Sequence, residues 1–376
     1  MDSSQKLTNT DVKKLNKNRI FRLIYNSDKI SRQEIADQLG LSLPTVNQNL
    51  KMLMEDGLIE YVGNFTSTGG RRAQAITINN NARKAISVNI KTDYINVDVV
   101  GLKGQIIYSM AVKAHFSKSS AYIEKLTDVV RHAVDYVGAD ADDILGVGIT
   151  VPGILDDEKQ ILISAPPLKA KNYDFTKLIS AIDYPVVVMN DARAEAYADH
   201  WFNGKPEDEK IYIMLGEGVG GAYINASAIR NGVHNRGGEF GHMVIHPGGK
   251  QCLCGKKGCF EAYVSEKVLS SELDMTLDNF FELVAQGNKN NSNVLDEYMD
   301  NLALGINNIY TMMDCDIVLG GTVAPYLKQY DNSIKERLVN DYSFDTDADY
   351  LRISDGGGRK SGLGAASVSY THLRAH

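Results

Sequence analysis

One segment of the chain, residues 238–261, concentrates side chains that can bind a metal ion. It contains three of the four cysteines, Cys252, Cys254 and Cys259, and His242 precedes the first of them by ten positions. An imidazole and three thiolates form a tetrahedral ligand set for Zn²⁺, and four protein ligands leave no open position, so such a site would be structural. Glycines and lysines between the cysteines let the ligands converge and favour the thiolate form. We therefore expect a structural zinc site here.

Two other interpretations of these cysteines are open. They could be reduced cysteines in a loop, or two of them could form a disulfide. Disulfide frameworks suit short secreted chains, whereas this chain has 376 residues and its first eighteen lack the apolar core of a secretion signal. Cysteines that are few and grouped for metal binding indicate a reducing cytoplasm. The same segment carries Glu239 and Glu261, polar groups that a metal-bound loop could hold in place.

A second candidate site follows a predicted buried strand, PVVVM at 185–189. Asn190 and Asp191 come directly after it and precede a helical sequence. A carboxylate at the carboxyl end of a strand lies where α/β folds bind ligands, although either residue would also serve as the N-cap of that helix. A glycine-rich turn at 216–221 follows the next strand. It could approach a phosphate or sugar closely, or it could simply close a hairpin.

The elements that would position these groups alternate between strands and helices. Three extended runs between residues 85 and 113 predict a β-meander, followed by a helix at 120–137 and a buried strand at 144–150. The pattern continues downstream with helices and strands near 175–182, 185–189, 209–216, 292–313 and 316–321. This alternation predicts a mostly parallel α/β core.

The first eighty residues follow a different pattern. Ser31 and Glu34 have the spacing of a capping box that begins a short helix, and Gly40 ends it. Ser42 caps a third helix, whose outward face carries polar side chains suited to base edges in the major groove: Ser42, Thr45, Asn47, Gln48 and Lys51. Helix, tight turn and helix are typical of a helix-turn-helix. A three-helix bundle that contacts another protein would share this pattern.

Two predicted strands, at 57–62 and 75–78, follow these helices, and the loop between them holds Arg71 and Arg72. A two-stranded wing with paired arginines beside a recognition helix predicts a winged helix, because such arginines reach phosphates or a narrow minor groove. Residues 1–82 contain eleven Lys/Arg and eight Asp/Glu, and the remainder contains 29 and 39. A basic head on an acidic body favours DNA binding by the head.

Composition bounds the class of protein. The chain is 43% apolar and 23% charged, as soluble globular proteins are, and its length suffices for two or three domains. It contains no run of about eighteen apolar residues, so we expect no membrane span.

In chain order, these motifs resemble those of the ROK family, which is named for repressors, open reading frames and sugar kinases. The matching segments are ITVPG (149–153), ND-A-A (190–194), GEGVGG (216–221), GEFGH (238–242), CLCGKKGCFE (252–261), VLGG (318–321) and GLGAA (362–366). The head, with TGGRR at 68–72, resembles the winged helix of ROK repressors of the xylose and N-acetylglucosamine type.

The resemblance implies an α/β chain: an N-terminal winged helix-turn-helix followed by a two-lobed, actin-like (ribonuclease H-like) sugar-kinase fold. We expect the DNA-binding domain over residues 1–82, a small lobe over 83–190, and a large lobe over 191–376 that contains the zinc loop. A C-terminal helix would return to the small lobe.

The resemblance also implies that a sugar binds in the cleft between the lobes. By position in the family motifs, the implied sugar ligands are Gly153, Asn190, Asp191, Glu239, His242 and Glu261. His242 can bind zinc through one ring nitrogen and the sugar through the other. In the family's kinases, Asp191 would be the general base that accepts the proton of the attacking hydroxyl.

One segment departs from the kinase pattern. ROK kinases carry D-x-G-G-T in a turn that holds the ATP phosphates, whereas residues 89–93 read NIKTD. Asn89 replaces the aspartate that would help to organise Mg²⁺, and no glycine lets the backbone approach phosphate. Because phosphoryl transfer depends on such positioning, we expect no kinase activity.

The leading hypothesis is therefore a cytoplasmic, sugar-responsive transcriptional repressor of carbohydrate-utilisation genes. It would bind a near-palindromic operator as a homodimer or homotetramer, with a monosaccharide or small oligosaccharide as inducer. One alternative is an ATP-dependent sugar kinase with an appended DNA-binding head. Another is a regulator controlled by protein contact, with a vestigial cleft. The short polar tail, residues 367–376, does not continue the expected helix, which indicates truncation or foreign sequence.

Overall fold

The computed structural model describes residues 9–65, 73–203, 209–225, 228–354 and 364. The head has three helices and a two-stranded antiparallel wing: α1 (Asn9–Tyr25), α2 (Arg32–Leu39), α3 (Leu43–Glu55), β1 (Ile59–Asn64) and β2 (Gln74–Ile78). Ile30 adds a single antiparallel bridge to Ile76. The predicted winged helix is confirmed.

Local sequence signals set the boundaries of these helices. The Ser31 side chain accepts a hydrogen bond from the Glu34 backbone N–H, and the Glu34 carboxylate accepts one from the Ser31 N–H. The predicted capping box is therefore present, and Gly40 ends α2. Ser42 caps α3, which buries Val46, Leu50 and Leu53 against the other helices.

A small lobe follows the head. Its elements are β3 (Lys84–Ile90), β4 (Tyr94–Gly101), β5 (Ile106–Lys113), α4 (Ser120–Tyr136), β6 (Ile144–Val151), β7 (Ile154–Asp156), β8 (Ile161–Ala165), β9 (Ala170–Asp174), α5 (Thr176–Ser180) and β10 (Val186–Asn190). The main sheet has the order β10-β6-β3-β4-β5, and β7, β8 and β9 form a separate antiparallel sheet. The meander is confirmed, whereas the three-stranded sheet was not predicted.

The large lobe carries the second main sheet, in the order β13-β12-β11-β14-β15. Its elements are α6 (Asp191–Asn203), β11 (Glu209–Leu215), β12 (Val219–Asn225), β13 (Ala228–Ile229), α7 (Glu261–Val264), α8 (Glu266–Leu269), α9 (Leu277–Ala285), α10 (Lys289–Met313), β14 (Asp316–Gly320), α11 (Ala324–Leu327), α12 (Asp331–Arg337) and β15 (Leu351–Ile353). Strand β12 already begins at Val219, so the glycine-rich turn is shorter than its sequence indicated.

The two main sheets share one topology. In each, the first strand is central, a hairpin continues from it antiparallel on one side, and two parallel strands lie on the other side. The prediction of a mostly parallel core was therefore wrong: in the described strands of each main sheet, two pairings are parallel and two are antiparallel. The repeated topology is the arrangement expected of an actin-like fold.

The head is fixed to the small lobe rather than tethered to it. Ala85, Val100 and Leu102 belong to the same buried apolar cluster as the head helices. Asn80 bonds to the β4–β5 turn twice, since its carbonyl accepts from the Leu102 N–H at 2.9 Å and its Oδ1 accepts from the Lys103 N–H at 2.8 Å. From this junction, β3 runs directly to the cleft between the lobes.

Several predictions lie outside the described residues. These are the wing arginines Arg71 and Arg72, the tail at 367–376 and most of the predicted final helix. Gly364, from that segment, is helical and buried. Among the described residues, no helix combines the length and apolar character needed to cross a bilayer.

Candidate functional site

A cavity of about 490 Å³ lies between the two lobes. Ligand sites of this kind commonly have volumes of about 300–1,000 Å³. All six residues implied as sugar ligands line it: Gly153, Asn190, Asp191, Glu239, His242 and Glu261. Strand β10 and helix α6 supply Asn190 and Asp191, the loop that precedes α7 supplies Glu239 and His242, and Glu261 is the first residue of α7.

Asn190 and Asp191 have different roles: Asn190 caps a helix and Asp191 faces the cavity. The Asn190 Oδ1 accepts from the Arg193 N–H at 3.0 Å, so Asn190 is the N-cap of α6, and its Nδ2 donates to the Gly153 carbonyl at 2.9 Å. Gly153 has a φ of +101°, and a Cβ there would lie 2.3 Å from the Ser164 carbonyl, so only glycine fits. With Asn190 serving as the cap, the Asp191 carboxylate is left facing the cavity.

Asp191 is a buried carboxylate with one cationic neighbour. One carboxylate oxygen accepts from the Ala192 N–H at 3.0 Å, and the other lies 3.7 Å from the Lys91 ammonium. Burial raises the pKa of Asp191 above its usual value, and Lys91 opposes this effect. Sequence reasoning did not single out Lys91 as functional. The signal was its position, since it replaces the first glycine of the kinase phosphate turn.

Glu239, His242 and Glu261 line the same cavity. The His242 Nε2 lies 3.9 Å from a Glu239 carboxylate oxygen. Burial raises the pKa of Glu239, while His242 and Arg193 act in the opposite direction. The Glu261 Oε2 accepts from the Val219 N–H at 3.0 Å, and its Oε1 lies 3.6 Å from the Cys252 sulfur. Glu261 thus links the glycine-rich turn to the cysteine loop.

The four predicted metal ligands form one cluster. One ligand atom from each of His242, Cys252, Cys254 and Cys259 lies within 4.8 Å of all the others. The Cys252 Sγ is 3.7 Å from the His242 Nδ1, and the Cys254 and Cys259 sulfurs are also 3.7 Å apart. Tetrahedral zinc–thiolate bonds of about 2.3 Å place sulfurs about 3.8 Å apart, so the donor set fits zinc.

The oxidation state and surroundings of the cysteines also favour metal binding. None of Cys252, Cys254, Cys259 and Cys315 forms a disulfide, so that alternative is wrong. Burial raises the pKa of the Cys252 and Cys259 thiols, and a bound cation is what would hold them as thiolates. His242 points Nδ1 at the cluster and Nε2 towards Glu239 at the cavity, which is the orientation that shared use of its two nitrogens requires.

Of the predicted DNA-contacting residues that the structure describes, Ser42 is the N-cap of α3 and the other four lie on that helix. Ser42 is occupied locally, because its hydroxyl accepts from the Thr45 N–H and lies 2.9 Å from the Thr45 hydroxyl. Asn47, Gln48 and Lys51 are exposed, and the Lys51 ammonium lies 3.7 Å from the Glu55 carboxylate. The helix therefore presents an amide-rich polar face to solvent.

This fold and site define a class of protein: a winged helix-turn-helix joined to a two-lobed body of the sugar-kinase type. The sequence model of the ROK family matches residues 85–369, and that of a winged helix-turn-helix DNA-binding domain matches residues 15–60. The chain belongs to the ROK family. The expected fold and the expected family are both confirmed.

Relatives of known name fall in the same family. The chain is 29% identical to the xylose repressor of Bacillus subtilis over 319 residues, 82% of each chain. It also superposes on the crystal structure of a ROK family transcriptional regulator, a homolog of the E. coli MLC protein, with a TM-score of 0.72, 21% identity and coverage of 95% and 96%. A ROK glucokinase from Streptomyces griseus, solved with glucose and AMPPNP, matches with a TM-score of 0.64, 24% identity and coverage of 77% and 99%.

Proposed function

We propose that this protein is a sugar-responsive transcriptional repressor of carbohydrate-utilisation genes. The observation that carries the proposal is the combination of a DNA-binding head with a cleft that has kept its sugar-facing groups but not its phosphate turn. Similarity to a protein named xylose repressor supports this function and makes a pentose or hexose the first inducer to test. A repressor would act in the cytoplasm, where its operator lies.

The alternative activity is sugar phosphorylation. In its favour, Asp191 is buried beside the cavity and burial raises its pKa, as suits a general base. Against it, residues 89–93 contain no glycine, and the Lys91 ammonium lies 3.7 Å from Asp191. A lysine at this position partly neutralises the base that phosphoryl transfer would need. We therefore propose that the cleft binds sugar without phosphorylating it.

We propose Zn²⁺ as the ion of the His242, Cys252, Cys254 and Cys259 cluster. Four protein ligands make the site structural, so the metal would hold the loop and take no part in a reaction. His242, which is one of the ligands, and Glu261, which follows the cluster at the start of α7, both line the cavity. Zinc would therefore stabilise the saccharide site through its ligands.

We propose that α3 reads the operator in the major groove. The side chains assigned to DNA contact are Ser42, Thr45, Asn47, Gln48 and Lys51, together with Arg71 and Arg72 of the wing. Amides such as Asn47 and Gln48 pair with adenine edges, and lysines and arginines pair with phosphates or guanine. A near-palindromic operator would be bound by two heads of a homodimer, or by a homotetramer.

The domain division proposed for this mechanism is 1–82, 83–190 and 191–376. Saccharide binding would close the two lobes of each chain and change the spacing of the heads. The packed junction at Asn80 and the continuous strand β3 would carry this motion from the cleft to the head. Because coupling is reciprocal, operator DNA must weaken saccharide binding by the same factor.

A shift assay tests the proposal. DNA from upstream of the gene is titrated at fixed salt, with and without a panel of monosaccharides, since phosphate contacts make affinity strongly salt-dependent. We expect specific binding that one sugar releases. Binding that no sugar alters would leave DNA binding in place and favour control by a phosphorylated sugar or by a protein partner. No specific binding, together with sugar-dependent ADP release from ATP, would establish the kinase instead.

A further inference from the structure

The Asp157 carboxylate of the small lobe is hydrogen-bonded to two side chains of the large lobe. Its Oδ2 accepts from the Asn231 Nδ2 at 2.6 Å and from the Arg193 guanidinium at 3.0 Å. Asp157 lies in the turn between β7 and β8, and Asn231 lies in the loop that follows β13. Arg193 lies on α6, which packs on β11 and β12 of the large-lobe sheet. We call these three side chains the lobe bridge.

The small-lobe side of the lobe bridge is tied to the main sheet of that lobe. The Gln160 Nε2 donates to the Asp157 carbonyl at 2.6 Å, and the Gln160 Oε1 accepts from the Val188 N–H at 3.0 Å. Val188 belongs to β10, the strand that ends at Asn190. The position of Asp157 therefore follows that of the small-lobe sheet rather than that of its turn alone.

The large-lobe side of the lobe bridge is tied to a loop that leads into the cavity. The Gly237 N–H donates to the Asn231 carbonyl at 2.7 Å, which closes the loop on itself. The Arg193 guanidinium also donates to the Asn235 carbonyl of this loop at 2.8 Å. Two residues beyond Gly237, the chain reaches Glu239, which lines the cavity. Asn231 and Arg193 therefore move with one wall of the cavity.

The ion pair within the lobe bridge is largely buried. The Arg193 side chain is 4% exposed and the Asp157 side chain is 32% exposed, so salt screens this pair less than it screens a surface pair. Burial raises the pKa of Asp157, and Arg193 and Asn231 act in the opposite direction. Hydrogen bonds to an ionised carboxylate are roughly twice as strong as those between neutral groups. The contact therefore favours the arrangement in which the two lobes are close together.

We infer that the lobe bridge is made when the lobes close and broken when they separate, and that its strength sets the saccharide concentration that releases the operator. The inference rests on the function proposed above and adds a regulatory contact to it. Neither Asp157 nor Asn231 is among the described residues that line the cavity. The apparent affinity for a ligand depends on the fraction of the protein that is in the binding form. The lobe bridge raises this fraction without touching the saccharide.

A lobe bridge differs from a saccharide ligand, and from a static contact, in what its loss changes. Loss of a static contact lowers the stability of the fold and leaves saccharide affinity unchanged. Loss of the lobe bridge weakens saccharide binding, because the closed form becomes less populated. It does not change the operator affinity of the open form or of the closed form. The saccharide concentration at half release of the operator therefore moves, while the operator affinities at zero and at saturating saccharide stay the same.

Asn231→Asp tests the inference in the full-length protein, because it places a second carboxylate opposite Asp157 and like charges oppose closure. The ligands are D-xylose, D-glucose, D-mannose and N-acetylglucosamine. We expect the saccharide that the parent protein recognises to bind at least about fivefold more weakly in calorimetry. In shift assays, the concentration for half release should rise by the same factor. Operator affinity without saccharide, and at saturating saccharide, should each stay within about twofold of the parent value.

A reciprocal exchange provides the matched rescue. Asp157→Asn in the Asn231→Asp background restores one amide and one carboxylate across the lobes, and Arg193 keeps an anionic neighbour. We expect this double variant to recover saccharide affinity to within about twofold of the parent, because the two substitutions act on one contact. Asn290→Asp makes the same charge change at an exposed residue of α10 that does not line the cavity. It should leave the concentration for half release unchanged.

The possible results separate the inference from the proposed function. Parent-like saccharide affinity in Asn231→Asp overturns the inference and leaves a sugar-responsive repressor intact. A double variant as weak as the single variant also overturns it, since the loss would not then come from the contact between positions 157 and 231. Weaker operator binding by Asn231→Asp without saccharide overturns it as well, because the contact would then support the DNA-binding form. If no saccharide of the panel gives heat or alters operator binding by the parent protein, the proposed function fails and the inference fails with it.

Discussion

Lys91 and Asp191 meet at the centre of the cleft, 3.7 Å apart, although they are a hundred residues apart in the chain. The lysine stands where the kinase pattern has a glycine, and the aspartate stands where the kinases have their base. Burial raises the pKa of Asp191 and Lys91 opposes that rise, so the lysine favours the ionised carboxylate, which accepts hydrogen bonds from hydroxyl groups. At the residue scale, we propose that this contact separates a sugar-binding cleft from a catalytic one.

Asp191→Asn should make the protein more stable at alkaline pH while weakening saccharide binding. Burial raises the pKa of Asp191 above its usual 3.8, so the folded state holds the proton to higher pH than the unfolded chain does. The cost of the buried charge therefore grows as pH rises above that usual value. We expect a gain of about 0.5–2 kcal/mol at pH 8, which shrinks as the pH approaches 4 in urea unfolding.

The matched control is Asp128→Asn, which alters an exposed carboxylate paired with Arg131 on α4. It should change stability little at any pH and leave saccharide affinity unchanged. Asp191→Asn should lower that affinity at least about tenfold in calorimetry. A variant that is less stable than the parent at pH 8, or one that binds saccharide normally, would refute the role given to this carboxylate.

If the cluster binds zinc as proposed, Cys259→Ser should abolish metal binding and weaken both the fold and the saccharide site. Cys259 is 1% exposed, and its sulfur lies 3.7 Å from that of Cys254. A metal ion present at a hundred times its Kd raises the free energy of unfolding by about 2.7 kcal/mol. We expect Cys259→Ser to lower the free energy of unfolding by at least this amount. Metal analysis of the purified protein and urea unfolding measure the two effects.

Cys315→Ser is the control for this substitution, because Cys315 lies outside the cluster. It should keep a full complement of zinc and normal saccharide binding. Retention of zinc by Cys259→Ser, or absence of zinc from the parent protein, would show that the cluster is not the metal site.

At the scale of elements, helix α3 carries two asparagines, one expected to contact DNA and one that stabilises the helix. Asn47 is exposed, whereas Asn49 is buried and donates to the Thr45 carbonyl at 2.8 Å. Asn47→Ala should weaken specific operator binding by about 1–3 kcal/mol without changing stability. Asn49→Ala should instead lower stability by about 1 kcal/mol. Shift assays on operator and competitor DNA measure the first effect, and thermal unfolding measures the second. Loss of operator binding in Asn49→Ala, with loss of stability in Asn47→Ala, would contradict this assignment.

We propose that the junction between the head and the small lobe couples the cleft to the DNA-binding head. Asn80→Ala removes the side-chain bond to the Lys103 N–H. We expect operator affinity without sugar, and saccharide affinity without DNA, to change little, while the coupling between them falls by about 0.5–2 kcal/mol. Asn81→Ala, at the exposed neighbouring position, should keep full coupling. Unchanged coupling in both variants would show that the bond at Asn80 does not couple the cleft to the head.

Short sequence patterns correctly predicted the helices of the head and the first three strands of the small lobe. The Ser31–Glu34 capping box, the apolar spacing of Val46, Leu50 and Leu53, and the extended runs of β3, β4 and β5 all lie within short stretches of sequence. Strands β7, β8 and β9 escaped prediction because they are three to five residues long and only partly buried, so no alternation marks them.

The candidate site was predictable in its members but not in its contacts. Family motifs pointed to Asp191, Glu239, His242 and Glu261, and the structure brings them to one cavity. The ion pair to Lys91 and the bond from the Val219 N–H to Glu261 join segments far apart in sequence. Spacing along a chain carries no information about such pairs, which depend on how the two lobes face each other.

At the scale of the whole molecule, the repeated five-stranded topology gives two lobes with a cleft between them and a head fixed to one lobe. A saccharide that contacts both lobes can bind the closed form more tightly, and only such a difference in affinity can shift the equilibrium. In the mechanism proposed here, the head would move with the small lobe on which it packs. Repression and induction would then correspond to an open and a closed population of the same fold.

The most direct test of this account is the operator affinity of the full-length protein at fixed salt, measured with and without saturating inducer saccharide. We predict a weakening of at least about fivefold, about 1 kcal/mol, and an equal weakening of saccharide binding when operator is present, because coupling free energies are reciprocal. A change of less than about twofold with every saccharide that binds the cleft would contradict the account, since the cleft and the head would then be independent.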